Sequence, residues 1–270
     1  MVSSWKERLP DWDEPLPDND EICEKFISDE FGGADRMPFR LFIPKEAREG
    51  RDLFGSDDSE RTYPLVIFLH GADVTGKDNV IHIAAHDIGT CFAREEMQRE
   101  HPCFVLAPQY RNGLHWSREK VFKAMRALIE RMKIKYPSID KNRICVYGYS
   151  AGGIGALRMM KEYPDLFYKA IIICGATSSE DLEKLESTPF WLFHAEDDDI
   201  VQCGGRESSP YFPSHYGSDE IYRELKDKMG DNIRFTKYET GELKEKYGVH
   251  PHCAWVPVSR NKEALNWLVT

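Results

Sequence analysis

The segment Gly148-Tyr149-Ser150-Ala151-Gly152 combines residue types and spacing that could do chemistry. It matches G-x-S-x-G, the pattern of a serine set up as a nucleophile. The apolar run Ile144-Cys145-Val146-Tyr147 leads into it, and a helix-forming stretch from Gly152 to Glu162 leads out. A strand, a sharp turn and a helix in that order make a nucleophile elbow. The turn needs small neighbours, because the serine backbone is strained and the helix packs close to the strand. Gly148, Ala151, Gly152 and Gly153 supply them. Such a turn lifts the Ser150 hydroxyl above the carboxyl ends of the strands. It also leaves the Ala151 N–H at a helix N-terminus, where it can stabilise an oxyanion. The competing reading of the string is a glycine-rich phosphate loop or a plain tight turn.

A lone serine hydroxyl is a poor nucleophile. It needs a histidine to take its proton and a carboxylate to orient that histidine, and after an elbow these follow in the order acid, then histidine. Carboxylates just beyond the apolar run Pro189–His194 are Glu196, Asp197, Asp198 and Asp199. They are consecutive rather than alternate as in a calcium loop, which argues against a metal. Downstream remain His215, His250 and His252. His215 precedes the last strand-like run, Ile233–Tyr238, and so comes too early. Spacing does not separate His250 from His252.

The elements that must position these groups alternate along the chain. Lys25–Glu30 and Pro38–Ile43 read as a hairpin around Gly32-Gly33-Ala34-Asp35. Residues 45–63 read as a charged surface loop. Strands are expected at Tyr63–His70, Cys103–Ala107, Arg143–Tyr147, Lys169–Gly175, Pro189–His194 and Ile233–Tyr238. Helices are expected at Asn79–Arg99, Ser117–Tyr136, Gly152–Glu162, Asp219–Met229 and Asn261–Leu268. In Ser117–Tyr136 the residues Val121, Met125, Leu128, Ile129 and Met132 recur at i, i+4, i+7 and i+8, with Ser117 placed to cap the start. Strands alternating with helices predict a single α/β domain over residues 21–270, its mostly parallel sheet covered on both faces, behind a Pro- and acid-rich lead-in at 1–20.

The whole-chain numbers are those of a globular protein: 270 residues, 41% hydrophobic and 30% charged. A formal charge of −10 without a run of Lys and Arg argues against nucleic acid as a partner. The seven cysteines are odd in number and form no C-x-x-C pair, which suits a reducing compartment. The first ten residues hold no apolar core of signal-peptide length, and no apolar run is long enough to span a bilayer. The expectation is a cytoplasmic protein without a membrane partner.

Several short segments in order resemble the polyhydroxybutyrate-depolymerase and feruloyl-esterase-like group of α/β-hydrolase serine esterases. They are Tyr63–Ala72, Gly76-Lys77-Asp78-Asn79, Ala107-Pro108-Gln109, Asp140-Lys141-Asn142-Arg143, Gly148–Gly153, Phe193–Asp198 and His252-Cys253-Ala254-Trp255. The resemblance covers about residues 37 to 269. It implies an α/β-hydrolase fold and a serine esterase that needs no cofactor or metal. In such proteins the acid lies four residues beyond the strand-end histidine, which points to Asp198, and the base opens an H-x-x-W element, which points to His252. The residue after His70-Gly71 supplies a second oxyanion N–H, which implicates Ala72. His194 and His70 take structural roles near the sheet edge, and His250 becomes a neighbour. The implied substrate is a small-molecule or carbohydrate-linked ester, acetyl and feruloyl esters among them.

The chain departs from that pattern in places. Ala195 replaces a usual glycine, and Ala151 stands where methionine or leucine is common, though either keeps the backbone donor. Gln202–Ser218 is longer than usual and carries Tyr211 and Phe212. It reads either as a border of the substrate pocket, with Trp116, Tyr149 and Trp255 nearby, or as a self-packed surface loop. Only about a dozen residues separate the strands at Lys169–Gly175 and Pro189–His194, so no large cap domain fits between them. Two other functions stay open: a serine peptidase of the same fold, and a noncatalytic binding protein built on it.

Overall fold

A computed structural model describes residues 19–32, 36–49, 61–111, 115–207 and 215–270. The expected lead-in lies mostly outside them, as do Tyr211 and Phe212. Eight strands form one sheet: β1 (Ile27–Phe31), β2 (Met37–Phe42), β3 (Tyr63–Leu69), β4 (Phe104–Pro108), β5 (Ile139–Tyr149), β6 (Lys169–Ile173), β7 (Phe190–Ala195) and β8 (Ile233–Tyr238). Their order is β1-β2-β4-β3-β5-β6-β7-β8. The hairpin β1–β2 and the β2–β4 pair are antiparallel, and every other pair is parallel. The predicted mostly parallel sheet is thus present.

Alternation along the central strands sends side chains to two cores. Val66, Phe68, Cys145, Tyr147, Ile171 and Phe193 face one. Leu65, Ile67, Leu69, Val146, Ile172 and Leu192 face the other. Strands buried on both faces are what near-continuous apolar runs encode. Short helices α1 (Asp20–Glu24), α2 (Lys45–Glu49), α3 (Ile81–Ala84) and α4 (Glu95–Glu100) come first in the chain, and α2 occupies part of the stretch expected to be loop. Next are α5 (Glu119–Lys135) and α6 (Ala151–Glu162), whose apolar stripes cover the second face together with α7 (Ser218–Met229). The chain ends through α8 (Glu242–Tyr247), α9 (Trp255–Val258) and α10 (Lys262–Val269), the last packed on the first face.

Two expectations fail for physical reasons. The single helix over Asn79–Arg99 is instead α3, two 3₁₀ turns (Asp87–Gly89, Cys91–Ala93) and α4. Extended backbone at His86 and Arg94 interrupts it. Ile81, Ile83, Ala84, Ala85, Ile88, Cys91 and Phe92 are all buried. A straight helix would bury one stripe only, so the segment folds back on itself. Ser117 does not cap α5, which starts at Glu119 after an uncapped Arg118, and the Ser117 hydroxyl pairs with His115 Nδ1 at 2.8 Å. Between β6 and β7 the chain makes only a short turn, Leu182–Leu185, and no domain is inserted there.

Candidate active site

All the candidate chemistry collects at the carboxyl ends of the parallel strands, where open α/β sheets present their sites. Ser150 follows β5 with φ 52° and ψ −121°, a strained left-handed conformation that holds its side chain out of the sheet. Its N–H donates to the Ile173 carbonyl at 2.9 Å, tying the turn to β6. The small residues are needed because the helix start lies on the end of β3. A methyl group at Gly152 would come within 1.8 Å of the Leu69 carbonyl oxygen. As the first residue of α6, Ala151 has an N–H with no intrahelical acceptor, and Ala72 stands likewise at the start of the turn Ala72–Val74 after β3.

Ser150 is joined to two distant residues by hydrogen bonds. Its Oγ lies 2.9 Å from His252 Nε2, and His252 Nδ1 lies 2.7 Å from Asp198 Oδ2. Asp198 is the third residue after β7, and His252 follows α8. Both are buried, at 4% and 1% exposure, while Ser150 is half-buried. Asp198 Oδ1 accepts the N–H groups of Ile200 and Val201 at 2.9 and 3.0 Å. Burial opposes ionisation of this carboxyl, but hydrogen bonds from His194 and His252 more than offset it, holding Asp198 well below the usual carboxylate range. The other three acids are spent elsewhere. Glu196 takes the Thr240 hydroxyl, Asp197 takes the Gly241 N–H, and Asp199 lies 3.5 Å from His250. His250 Nδ1 accepts the His252 N–H at 3.1 Å and so braces the neighbouring backbone.

The aromatic residues expected near a pocket are packed away from solvent. Trp116 is 1% exposed and its indole N–H donates to the His70 carbonyl at 2.8 Å. Tyr149 and Trp255 are fully buried, their rings 4.4 Å apart, with Trp255 edge-on to His252 at 5.6 Å. These three shape the site from behind and offer no face to a substrate. Tyr211 and Phe212 lie outside the described residues. His70 is also internal: its Nδ1 is 2.6 Å from the Gly71 carbonyl, and burial lowers its pKa to about 4, so it stays neutral.

Two features go beyond the structural role that the sequence gives His194. First, His194 touches the acid itself, its Nε2 3.1 Å from Asp198 Oδ2. Cys174 lies close by, and one ligand atom from each of Cys174, His194 and Asp198 falls within 4.8 Å of the others. The nitrogens of His194 and the oxygens of Asp198 are already engaged in hydrogen bonds, and burial pushes the Cys174 thiol far up, so the cluster is built as a hydrogen-bonded support rather than a metal cradle. Second, the Asp73 side chain is buried beside Ala72. It accepts His86 Nε2 at 2.7 Å and the Tyr149 hydroxyl at 3.0 Å. Asp73 falls between the segments Tyr63–Ala72 and Gly76–Asn79, and its place three residues past His70 is its only visible signal.

The prolyl oligopeptidase family matches residues 111–216. The chain is similar to a thermostable esterase of solved structure, at 35% identity and a TM-score of 0.77 over 92% of this chain. It spans 63% of that esterase's length. A ferulic acid esterase shares the fold at 13% identity, TM-score 0.60, over 91% of this chain and 98% of the other. Pyrococcus horikoshii acylaminoacyl peptidase does so at 14% identity, TM-score 0.55, over 91% of this chain and 43% of the other. No protein of curated function matches the chain.

Proposed function

We propose a function from one premise, that the chain is an α/β-hydrolase by fold: it is a serine carboxylic-ester hydrolase acting through Ser150, His252 and Asp198. One observation carries this reading. A serine hydroxyl on a strained elbow lies 2.9 Å from an imidazole that a buried carboxylate holds at 2.7 Å. His252 takes the Ser150 proton as Oγ attacks the ester carbonyl. The Ala72 and Ala151 N–H groups receive the charge that develops on the carbonyl oxygen, and losing one such donor costs about 3–4 kcal/mol. Asp198 keeps His252 in the tautomer that presents a bare Nε2 to the serine. The alcohol departs with the His252 proton, and water then hydrolyses the acyl-enzyme by the same steps in reverse. No metal or organic cofactor enters this chemistry.

The substrate class we assign is a small-molecule or carbohydrate-linked ester, with acetyl and feruloyl esters as the first to try. The short connection between β6 and β7 supports a site open to bulky substrates. A peptidase is the second reading, favoured by the match of residues 111–216 to the prolyl oligopeptidase family. The cytoplasmic assignment is also ours, supported by seven buried free thiols. Among the described residues no helix is long and apolar enough to cross a membrane. The test is labelling with a serine-directed fluorophosphonate. Wild-type chain should react and Ser150→Ala should not, and labelling that survives Ser150→Ala sinks the assignment. Rates on acetyl, short aliphatic and feruloyl esters, set against aminoacyl anilides, then separate esterase from peptidase.

A further inference from the structure

Taking Ser150, His252 and Asp198 as the reacting set, we infer that His194 is a positioning residue, donating a hydrogen bond into the same Asp198 oxygen that holds His252 and thereby setting how strongly that carboxylate grips the imidazolium. Oδ2 lies 2.7 Å from His252 Nδ1 and 3.1 Å from His194 Nε2. His194 Nε2 is also 2.7 Å from the Val201 carbonyl. Both neighbours are acceptors, so this nitrogen carries the hydrogen and shares it between them, the Val201 carbonyl being the nearer. The other ring nitrogen, Nδ1, lies 2.8 Å from the Ser218 hydroxyl, which donates to it and fixes the tautomer. His194 and Ser218 are both 0% exposed, so water does not stand in for either. The chain of contacts therefore runs from Ser150 through His252, Asp198 and His194 to the first residue of α7.

A carboxylate oxygen shared between two donors is a weaker partner for each than one held by a single donor. Among the described residues two thiols also face Asp198. Cys174 comes from the end of β6, its pKa driven far up by burial, and Cys203 comes from the loop before α7, pushed up to about 12 by burial. Both are neutral and leave the carboxylate charge to the two imidazoles. Behind His252 stands His250, 3.5 Å from Asp199. His194 thus differs from a packing histidine in what it touches, which is the carboxylate oxygen that holds His252 and not only the walls of the loop.

The experiment is an NMR titration of the His252 ring in the intact chain, alongside the pH profile of kcat/KM. His194→Phe fills the space without a donor. It should raise the His252 midpoint by about half a unit to one unit and move the acid limb up equally. His194→Gln, which keeps an N–H donor, should restore most of the wild-type value, and Ser218→Ala should shift the midpoint in the same direction by less. An unchanged or lowered midpoint in folded His194→Phe overturns the proposal. If that variant does not fold, an unchanged midpoint in Ser218→Ala does so. The midpoint is read whether or not the chain turns over esters, so a shift without ester hydrolysis or fluorophosphonate labelling condemns the assigned activity and leaves the positioning role standing.

Discussion

Two buried histidine–aspartate pairs flank the ring of Trp255, and their pairing distances are identical. His252 Nδ1 meets Asp198 Oδ2 at 2.7 Å, and His86 Nε2 meets Asp73 Oδ2 at 2.7 Å. Trp255 lies 5.6 Å from the first imidazole and 5.4 Å from the second. In both pairs burial pushes the carboxyl up, and hydrogen bonds from the partners bring it below its ordinary value. The difference is in what stands at the far end. His252 turns its other nitrogen to Ser150, on an elbow that projects the hydroxyl. Asp73 instead takes a second bond from the Tyr149 hydroxyl at 3.0 Å. The second pair therefore ties the Ala72 loop to Tyr149, the residue before Ser150. An imidazole–carboxylate pair acquires chemistry only from the acceptor or nucleophile it is aimed at.

Removing each imidazole breaks the comparison most sharply. His252→Ala should lower kcat on a good ester by about 10⁶-fold, the scale of losing a member of an acting triad. His86→Ala should stay within about a hundredfold, the scale of a small misplacement of reacting groups. Steady-state rates on one ester measure both. Comparable losses would mean that the His86–Asp73 pair takes part in proton transfer.

The carboxylates come next. Asp198→Asn should cost about 10⁴-fold in kcat, since the amide favours the wrong imidazole tautomer. Asp73→Asn should leave acyl transfer within about a hundredfold but lower stability by about 1–3 kcal/mol, because the amide offers His86 and Tyr149 one neutral acceptor oxygen in place of two charged ones and sets an NH2 donor where the other oxygen stood. That loss depends on pH with a definite sign. The folded Asp73 carboxyl lies below its unfolded value of about 3.9, so its contribution is complete above that pH and disappears as the pH falls through the folded value. Urea unfolding of wild type and Asp73→Asn should show a full gap at pH 7 that narrows below about pH 4. A gap that widens on acidification contradicts the ionised assignment.

How much of this could be read from the chain follows from where the constraints lie. The elbow was legible because its constraint is local. Gly152 leaves no room for a methyl against Leu69, and the small residues cluster within a few positions of Ser150. The four acids at 196–199 looked equivalent, because what separates them is long-range, namely which one meets the loop at His252 and which ones meet Thr240 or Gly241. Resemblance to known esterases chose Asp198, and spacing alone did not. The role of His194 was hidden because a strand-end residue reaches its i+4 neighbour only across a tight turn. The His86–Asp73 pair was hidden by a wrong element. A continuous helix over Asn79–Arg99 gives no reason for His86 to leave its face, whereas the observed break at His86 does. Trp116, Tyr149 and Trp255 looked like pocket residues because large aromatics near a nucleophile often are. Trp116 and Tyr149 are held inside by hydrogen bonds to His70 and Asp73, and Trp255 by its ring contacts with Tyr149 and His86, none of which periodicity announces.

Tyr149→Phe is the smallest change and the most discriminating about the second pair. The ring fills a fully buried position against Trp255, and a methyl group at Gly71 would come within 2.3 Å of its Cε2. Phenylalanine keeps that packing and removes only the hydroxyl that Asp73 accepts. The expected loss is about 1 kcal/mol of stability, the worth of one hydrogen bond. Relative rates across acetyl, butyryl and feruloyl esters should keep their order and spacing, since no atom of Tyr149 is open to an acyl group. Thermal unfolding and the ester panel, run on the same preparations, measure the two effects together. A changed acyl preference with unchanged stability would place the hydroxyl in the substrate pocket, and the contrast between an acting pair and a bracing pair would fail at that residue.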